Sequence, residues 1–390
     1  MAIVQIQITR KNITAIILAL TISFMLFACS KAQNTEQAVS MGKLMGHSQE
    51  GVGQTYTPVE KSRAISFPQD HLAHNDFRQE WWYLTANLET EQGKKLGLQW
   101  TQFRIALTPE ELFSASDEKT ENEQSEKNSW VSKQLYMTHA AVTTQEQHFA
   151  EERWSRQHPM LADVSTAPLT IKIDNWRWIG TGDELFPASL TVDGDQFSYQ
   201  LSLNANAPYQ LQGEQGYSIK SADGSVASHY YSQPFIQVSG QVTLQGESHQ
   251  VTGEAWLDRE WSSQFLNKDQ AGWDWFALRL DDGSTLMLFQ LRGEPDSETS
   301  FYSGRRMFAD GSGRNIGSDE IAIEVLDWHQ IDTSRYPISW KINIPSESIQ
   351  LTTQALNPDA KIPLSISYWE GPVVISGSHQ GEGYMELTGY

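Results

Sequence analysis

The stretch from Gly253 to Arg292 constrains this chain most. It contains four tryptophans, the triplet Asp258-Arg259-Glu260 and a hairpin pattern. Trp273, Trp275, Ala277 and Arg279 alternate with Asp274, Phe276, Leu278 and Leu280. Asp281-Asp282-Gly283 supplies a turn, and Leu286, Leu288, Gln290 and Arg292 then alternate with Met287, Phe289 and Leu291. Period-two alternation around an Asp-Gly turn predicts a β-hairpin. Apolar side chains occupy both of its faces, so it must be the wall of a barrel or sandwich with a second layer outside it. Arginines in such a wall need partners.

The same unit occurs earlier. Trp81-Trp82-Tyr83-Leu84-Thr85-Ala86-Asn87-Leu88 lays over residues 273–280, and Gln102-Phe103-Arg104 lays over Gln290-Leu291-Arg292. Two copies of a long unit indicate a duplicated β domain, not a solenoid. The 390 residues suffice for two cores. Short alternating runs between Gly, Asn and Asp turns predict an antiparallel meander, which makes the protein all-β. A domain boundary is expected near Pro234, dividing residues 63–234 from 235–390.

Residues 1–28 read as a secretory signal: Arg10 and Lys11 precede an apolar run from Ile13 to Phe27. Leu26-Phe27-Ala28-Cys29 resembles a lipoprotein signal, with Cys29 as the lipidated N-terminus and Ser30 fitting the outer-membrane sorting pattern. An uncleaved anchor or an ordinary signal with an incidental cysteine is the plain alternative. Cys29 is the only cysteine, so no intrachain disulfide can form. Cleavage would remove two positive charges and take the net charge from −20 to −22. Such an acidic chain should avoid nucleic acid and anionic membrane surfaces. Membrane contact would then run through the lipid anchor. Residues 29–62 read as a tether, and 114–129 as a solvated insertion.

Asp70-His71-Leu72-Ala73-His74, Glu80-Trp81-Trp82-Tyr83, Asp258-Arg259-Glu260-Trp261, Gly272-Trp273-Asp274-Trp275, Tyr368-Trp369-Glu370-Gly371 and Glu386-Leu387-Thr388-Gly389-Tyr390 together resemble the AttH and hydroxyneurosporene synthase (CrtC, carotenoid 1,2-hydratase) family. The resemblance covers nearly everything after Phe67. It implies two tandem lipocalin-like antiparallel β-barrel domains packed together. The Asp-Arg-Glu-Trp motif and the C-terminal motif resemble the AttH-type branch. Pigment-pathway hydratases are expected to carry a His where Arg259 stands.

The signal residues point to a periplasm-facing, outer-membrane lipoprotein and lipocalin-size barrels to an apolar lipid or isoprenoid ligand, while the resemblance implies work beside an ABC transporter permease. Secretion to the periplasm is the alternative location. The alternative function is a hydro-lyase of the carotenoid-hydratase type that adds water to an acyclic polyene. Protonating an isolated alkene takes a carboxylic acid kept neutral by an apolar site. Asp258 and Glu260 are the first candidates for that acid, with Glu80 and His139 next. The preferred plain reading makes Asp258-Arg259-Glu260 an ion-pair clasp between the domains, with Arg104, Arg279 or Arg292 as partners. His139 sits inside an apolar strand, and its preferred plain reading is a hydrogen-bonded core histidine. Trp82, Tyr83, Trp256, Trp261, Trp273, Trp275 and Arg259 are the candidate ligand contacts, and the aromatics among them also serve as core. His71 and His74 with Asp70 lack a recognised metal-ligand pattern, and their plain reading is a cap on the first strand. No nucleophile elbow or phosphate loop occurs, so neither a metal nor a cofactor is expected.

Overall fold

The computed structural model describes residues 56–107, 132–267, 269–293 and 300–390. Among them there is no α-helix, and no helix long and apolar enough to cross a membrane. Two antiparallel sheets account for the fold: one of thirteen strands that nearly closes into a barrel, and one of ten that forms a half-barrel. The expected all-β tandem architecture is the one observed. The signal, Cys29 and the insertion at 114–129 lie outside the described residues.

In the first sheet the strand Gln79–Thr90 pairs with Lys95–Ala106 on one side and with the last strand, Glu247–Ser262, on the other. The second sheet repeats this arrangement. Gln270–Leu280 pairs with Thr285–Gly293 and with the last strand, Gly381–Leu387. The repeat extends to register: Trp82 faces Gln102 and Trp81 faces Phe103, just as Asp274 faces Gln290 and Trp273 faces Leu291. Each copy's arginine finds a carboxylate on the neighbouring strand, Arg104 with Glu80 and Arg292 with Asp274.

Side chains alternate across a strand, so each wall has two apolar faces with different destinations. Trp82, Leu84 and Trp100 fill the first barrel with Leu257 and Trp261. Phe276, Leu278 and Leu288 fill the second with Trp369 and Met385. The outer faces meet each other: Tyr83, Tyr230 and Trp256 of the first sheet pack with Trp275, Phe289 and Tyr384 of the second. The second layer outside each wall is therefore the other sheet.

Two expected limits differ from what is observed. Pro234 lies within the strand Ala227–Leu244, whose register shifts between Gln233 and Ile236 to accommodate a residue with no backbone N–H to give. The chain leaves the first sheet only between Ser262 and Gln270. Ordered contacts also begin inside the segment expected as tether. The Tyr56 hydroxyl donates to the Ala106 carbonyl at 3.0 Å, and the Thr57 amide to the Asp76 carbonyl at 3.1 Å.

Candidate functional site

Where the two outer faces diverge they leave a cleft. From the first sheet come Trp81, Tyr83, Phe103, Tyr230, Asp258 and Glu260, and from the second Trp273, Trp275, Phe289, Leu291 and Glu386. Lys220, Phe265 and Leu266 complete its wall, and the open space inside is about 70 Å3. That is small beside the roughly 300–1,000 Å3 of a pocket that encloses a whole small molecule, so the cleft takes one end of a long ligand. Strand parity selects the members. On Glu247–Ser262 the even residues Trp256, Asp258 and Glu260 face the second sheet, while Leu257, Arg259 and Trp261 face the barrel interior.

Asp258 is buried and accepts hydrogen bonds from the Ser232 hydroxyl at 2.5 Å, the Trp256 indole at 2.7 Å and the Tyr230 hydroxyl at 2.7 Å. Burial pushes its carboxyl up to about 7. The three donors pull the other way, and neighbouring Glu260 adds to the rise. Glu386 reaches the same cleft from the second sheet. Burial pushes it up to about 8 against the Trp273 indole, with Asp258 and Glu260 adding to the rise. Directly across the strand pair from Glu386 sits Glu370. Burial, reinforced by Glu386, holds its carboxyl well above the usual range. Two buried carboxyls facing each other across a strand pair each favour the neutral form, because burial and like charge both oppose ionisation.

Glu370 accepts from the Tyr83 hydroxyl at 2.5 Å. Behind it, Tyr368 bonds His139 Nδ1 at 3.0 Å, and His139 Nε2 stands 3.6 Å from Glu152. His139 therefore backs the cleft without lining it, and burial lowers its pKa. Lys220, also buried, forms an ion pair with Glu260 at 2.7 Å, its ammonium lying over the Phe289 and Tyr230 rings at 4.3 and 4.8 Å.

The remaining sequence candidates lie inside the first barrel. Glu80 is fully buried, and although burial opposes ionisation, the Arg104 and Arg259 guanidiniums hold its carboxyl well below the usual range. His74 adds its backbone N–H at 2.8 Å and Nδ1 at 3.0 Å. An ionised Glu80 walled off from the cleft is no proton donor. Arg259 stacks on Trp82 at 3.9 Å, and Trp261 stacks on His74 at 4.0 Å. Asp258, Arg259 and Glu260 thus form no common clasp, since the arginine points away from both acids. Arg104 and Arg292 each serve their own barrel, while Arg279 reaches across the sheets to Asn87 at 3.0 Å. His71 and His74 point to different partners, Tyr231 with Glu184 and Asp70 with Glu80. Among the described residues no group of three or more His, Cys, Asp and Glu side chains gathers to hold a metal.

Of the expected site residues, the cleft unites Asp258, Glu260, Tyr83, Trp273 and Trp275, with Trp256 bonded to Asp258 from within. It excludes Glu80, Trp82, Trp261 and Arg259. Glu386, Glu370, Tyr230 and Lys220 were not among the expected site residues. The first two stand in the motifs Glu386-Leu387-Thr388-Gly389-Tyr390 and Tyr368-Trp369-Glu370-Gly371, which already marked them. Lys220 follows a short strand in a stretch with no pattern that singles it out.

No curated protein matches the chain. Among solved structures, a Nitrosomonas europaea protein assigned as AttH shares 34% identity, with 86% of this chain and 99% of that one covered and a TM-score of 0.73. Kievitone hydratase from Nectria haematococca covers 86% of this chain and 96% of its own at 13% identity and a TM-score of 0.63, a likeness of fold. The AttH-like family profile matches residues 58–390, and the chain belongs to the AttH-like family.

Proposed function

We propose that the cleft between the barrels binds one end of an apolar unsaturated ligand and catalyses acid-assisted addition of water to its double bond. The observation that carries this reading is the convergence of Asp258 and Glu386, one from each sheet, on an aromatic-walled cleft where burial raises the two carboxyls into the neutral range, to about 7 and about 8. A carboxylic acid with a pKa near the working pH is suited to give a proton to carbon. Asp258 transfers its proton to one alkene carbon, and the faces of Trp81, Trp273 and Trp275 stabilise the cation left on the other. A water adds there, and its surplus proton returns to the Asp258 carboxylate, so the acid is restored in each cycle. Kievitone hydratase, whose fold is similar, bears in its name the same class of reaction.

The apolar walls equally support a binding role. In that reading the protein is anchored at the periplasmic face of the outer membrane through Cys29 and passes its ligand to an ABC transporter permease. Incubating the purified protein with an acyclic polyene in heavy-oxygen water separates the two. Hydration puts the label into a product alcohol with wild type and not with Asp258→Asn. Binding with no labelled product in wild type overturns the catalytic reading and leaves the carrier.

A further inference from the structure

We infer that the ligand is amphipathic, with a neutral oxygen acceptor recognised by Lys220 beside the double bond that meets Asp258. This rests on the cleft being the ligand site of the proposed function and extends it to the class of substrate. Lys220 and Glu260 form an ion pair among the aromatic side chains of the cleft, and both side chains are only 7% exposed. The ammonium has three N–H donors. One meets Glu260, while the rings of Phe289 and Tyr230 offer the others only π faces.

A pure hydrocarbon seated over this pair would strip its remaining water and return no hydrogen bond, a net loss for a charged group. A carbonyl, hydroxyl or phenol oxygen would replace that water directly. The wall also argues against a carboxylate. Lys220 is already neutralised by Glu260, and Asp258 and Glu386 stand close by, adding negative charge whenever they ionise. A neutral acceptor is the chemistry that matches.

The spacing follows from the strand. Asp258 and Glu260 share one face of Glu247–Ser262 two residues apart, about 7 Å along extended backbone, and the Lys220 ammonium sits 2.7 Å from the Glu260 carboxylate. Tyr230 links the two ends, since its hydroxyl donates to Asp258 while its ring lies under the Lys220 ammonium. An acceptor at Lys220 therefore fixes which double bond lies against Asp258. Lys220 is thus a specificity-determining residue that selects the bond to be hydrated.

The test is binding of three isoprenoids of equal carbon count, followed by quenching of the cleft tryptophans at pH 6: the hydrocarbon myrcene, the alcohol geraniol and the carboxylate geranic acid. Wild type should bind geraniol about tenfold or more tighter than myrcene, the usual effect of a hydrogen bond to a charged group, and tighter than geranic acid. The double variant Lys220→Met with Glu260→Gln removes the pair without stranding a buried charge. Its geraniol preference should fall below about threefold, with myrcene binding retained. Equal affinity for myrcene and geraniol in wild type, a preference that survives in the double variant, or no binding of any probe overturns the inference. Asp258→Asn keeps the ion pair and should keep the preference. A preference without hydrated product in wild type thus defeats the catalytic reading alone, and hydration without preference defeats this one alone.

Discussion

Replacing Asp258 with Asn tests whether that carboxyl is protonated in the folded protein. In the unfolded chain Asp258 titrates near 3.8, and burial in the cleft raises it to about 7. The folded state therefore holds a proton that the unfolded state has released over the intervening range. Stability from this group is complete below about pH 4, falls as pH rises through that window, and levels off above about 7. Three units at 1.36 kcal/mol each give about 4 kcal/mol as the upper limit of the loss. Glu386, raised from 4.5 to about 8, falls in the same direction over a window that reaches one unit higher.

Asparagine mimics the protonated acid. Its carbonyl can accept from Ser232 and Trp256, and its amide can donate to the Tyr230 oxygen. Asp258→Asn should therefore fold normally and lose hydration activity. Measured by urea unfolding at steps from pH 5 to 8, the variant should become more stable relative to wild type as pH rises, by up to about 3 kcal/mol across that range, because only the two units between pH 5 and about 7 fall inside the window. If the two stability curves run parallel from pH 5 to 8, Asp258 is already ionised in the folded protein, and the proton-donor argument fails.

Arg259→Met leaves the buried Glu80 carboxylate with Arg104 as its only guanidinium. It should cost about 3 kcal/mol of stability, read as a fall in Tm, with the affinity of the folded fraction for cleft ligands unchanged. His139→Phe removes the buried hydrogen bond between His139 Nδ1 and the Tyr368 hydroxyl and should destabilise by about 1–3 kcal/mol in denaturant unfolding, because a buried polar group loses one of its partners. Trp275→Leu removes one face of the cleft and should weaken binding of an unsaturated ligand about tenfold in a fluorescence titration, more than Trp82→Leu, whose ring lies inside the first barrel. Cys29→Ala should abolish partition of the expressed protein into detergent, and an unmodified mature N-terminus elsewhere in wild type would refute the lipid anchor.

The fold was legible because duplication and alternation are local signals. Lining up residues 81–88 with 273–280 anticipates the register seen in both hairpins, since Gln102 and Gln290 occupy equivalent positions opposite Trp82 and Asp274. The site was legible only in part, for a reason that lies in the same alternation. Asp258, Arg259 and Glu260 are adjacent in sequence and invite one explanation, yet period-two geometry sends the acids to the cleft and the arginine into the barrel. The same parity divides Glu80 and Trp82 from Trp81 and Tyr83. Alternation shows that such residues must part, but not which face meets the second sheet, because both faces are apolar. The second acid was harder still: Glu386 meets Asp258 only when the last strand of the second barrel is laid against the first strand of that barrel and faced across to the other sheet. A cleft assembled from two sheets hides its chemistry from any single stretch of the sequence, and the protonation of each acid depends on burial that the other sheet supplies.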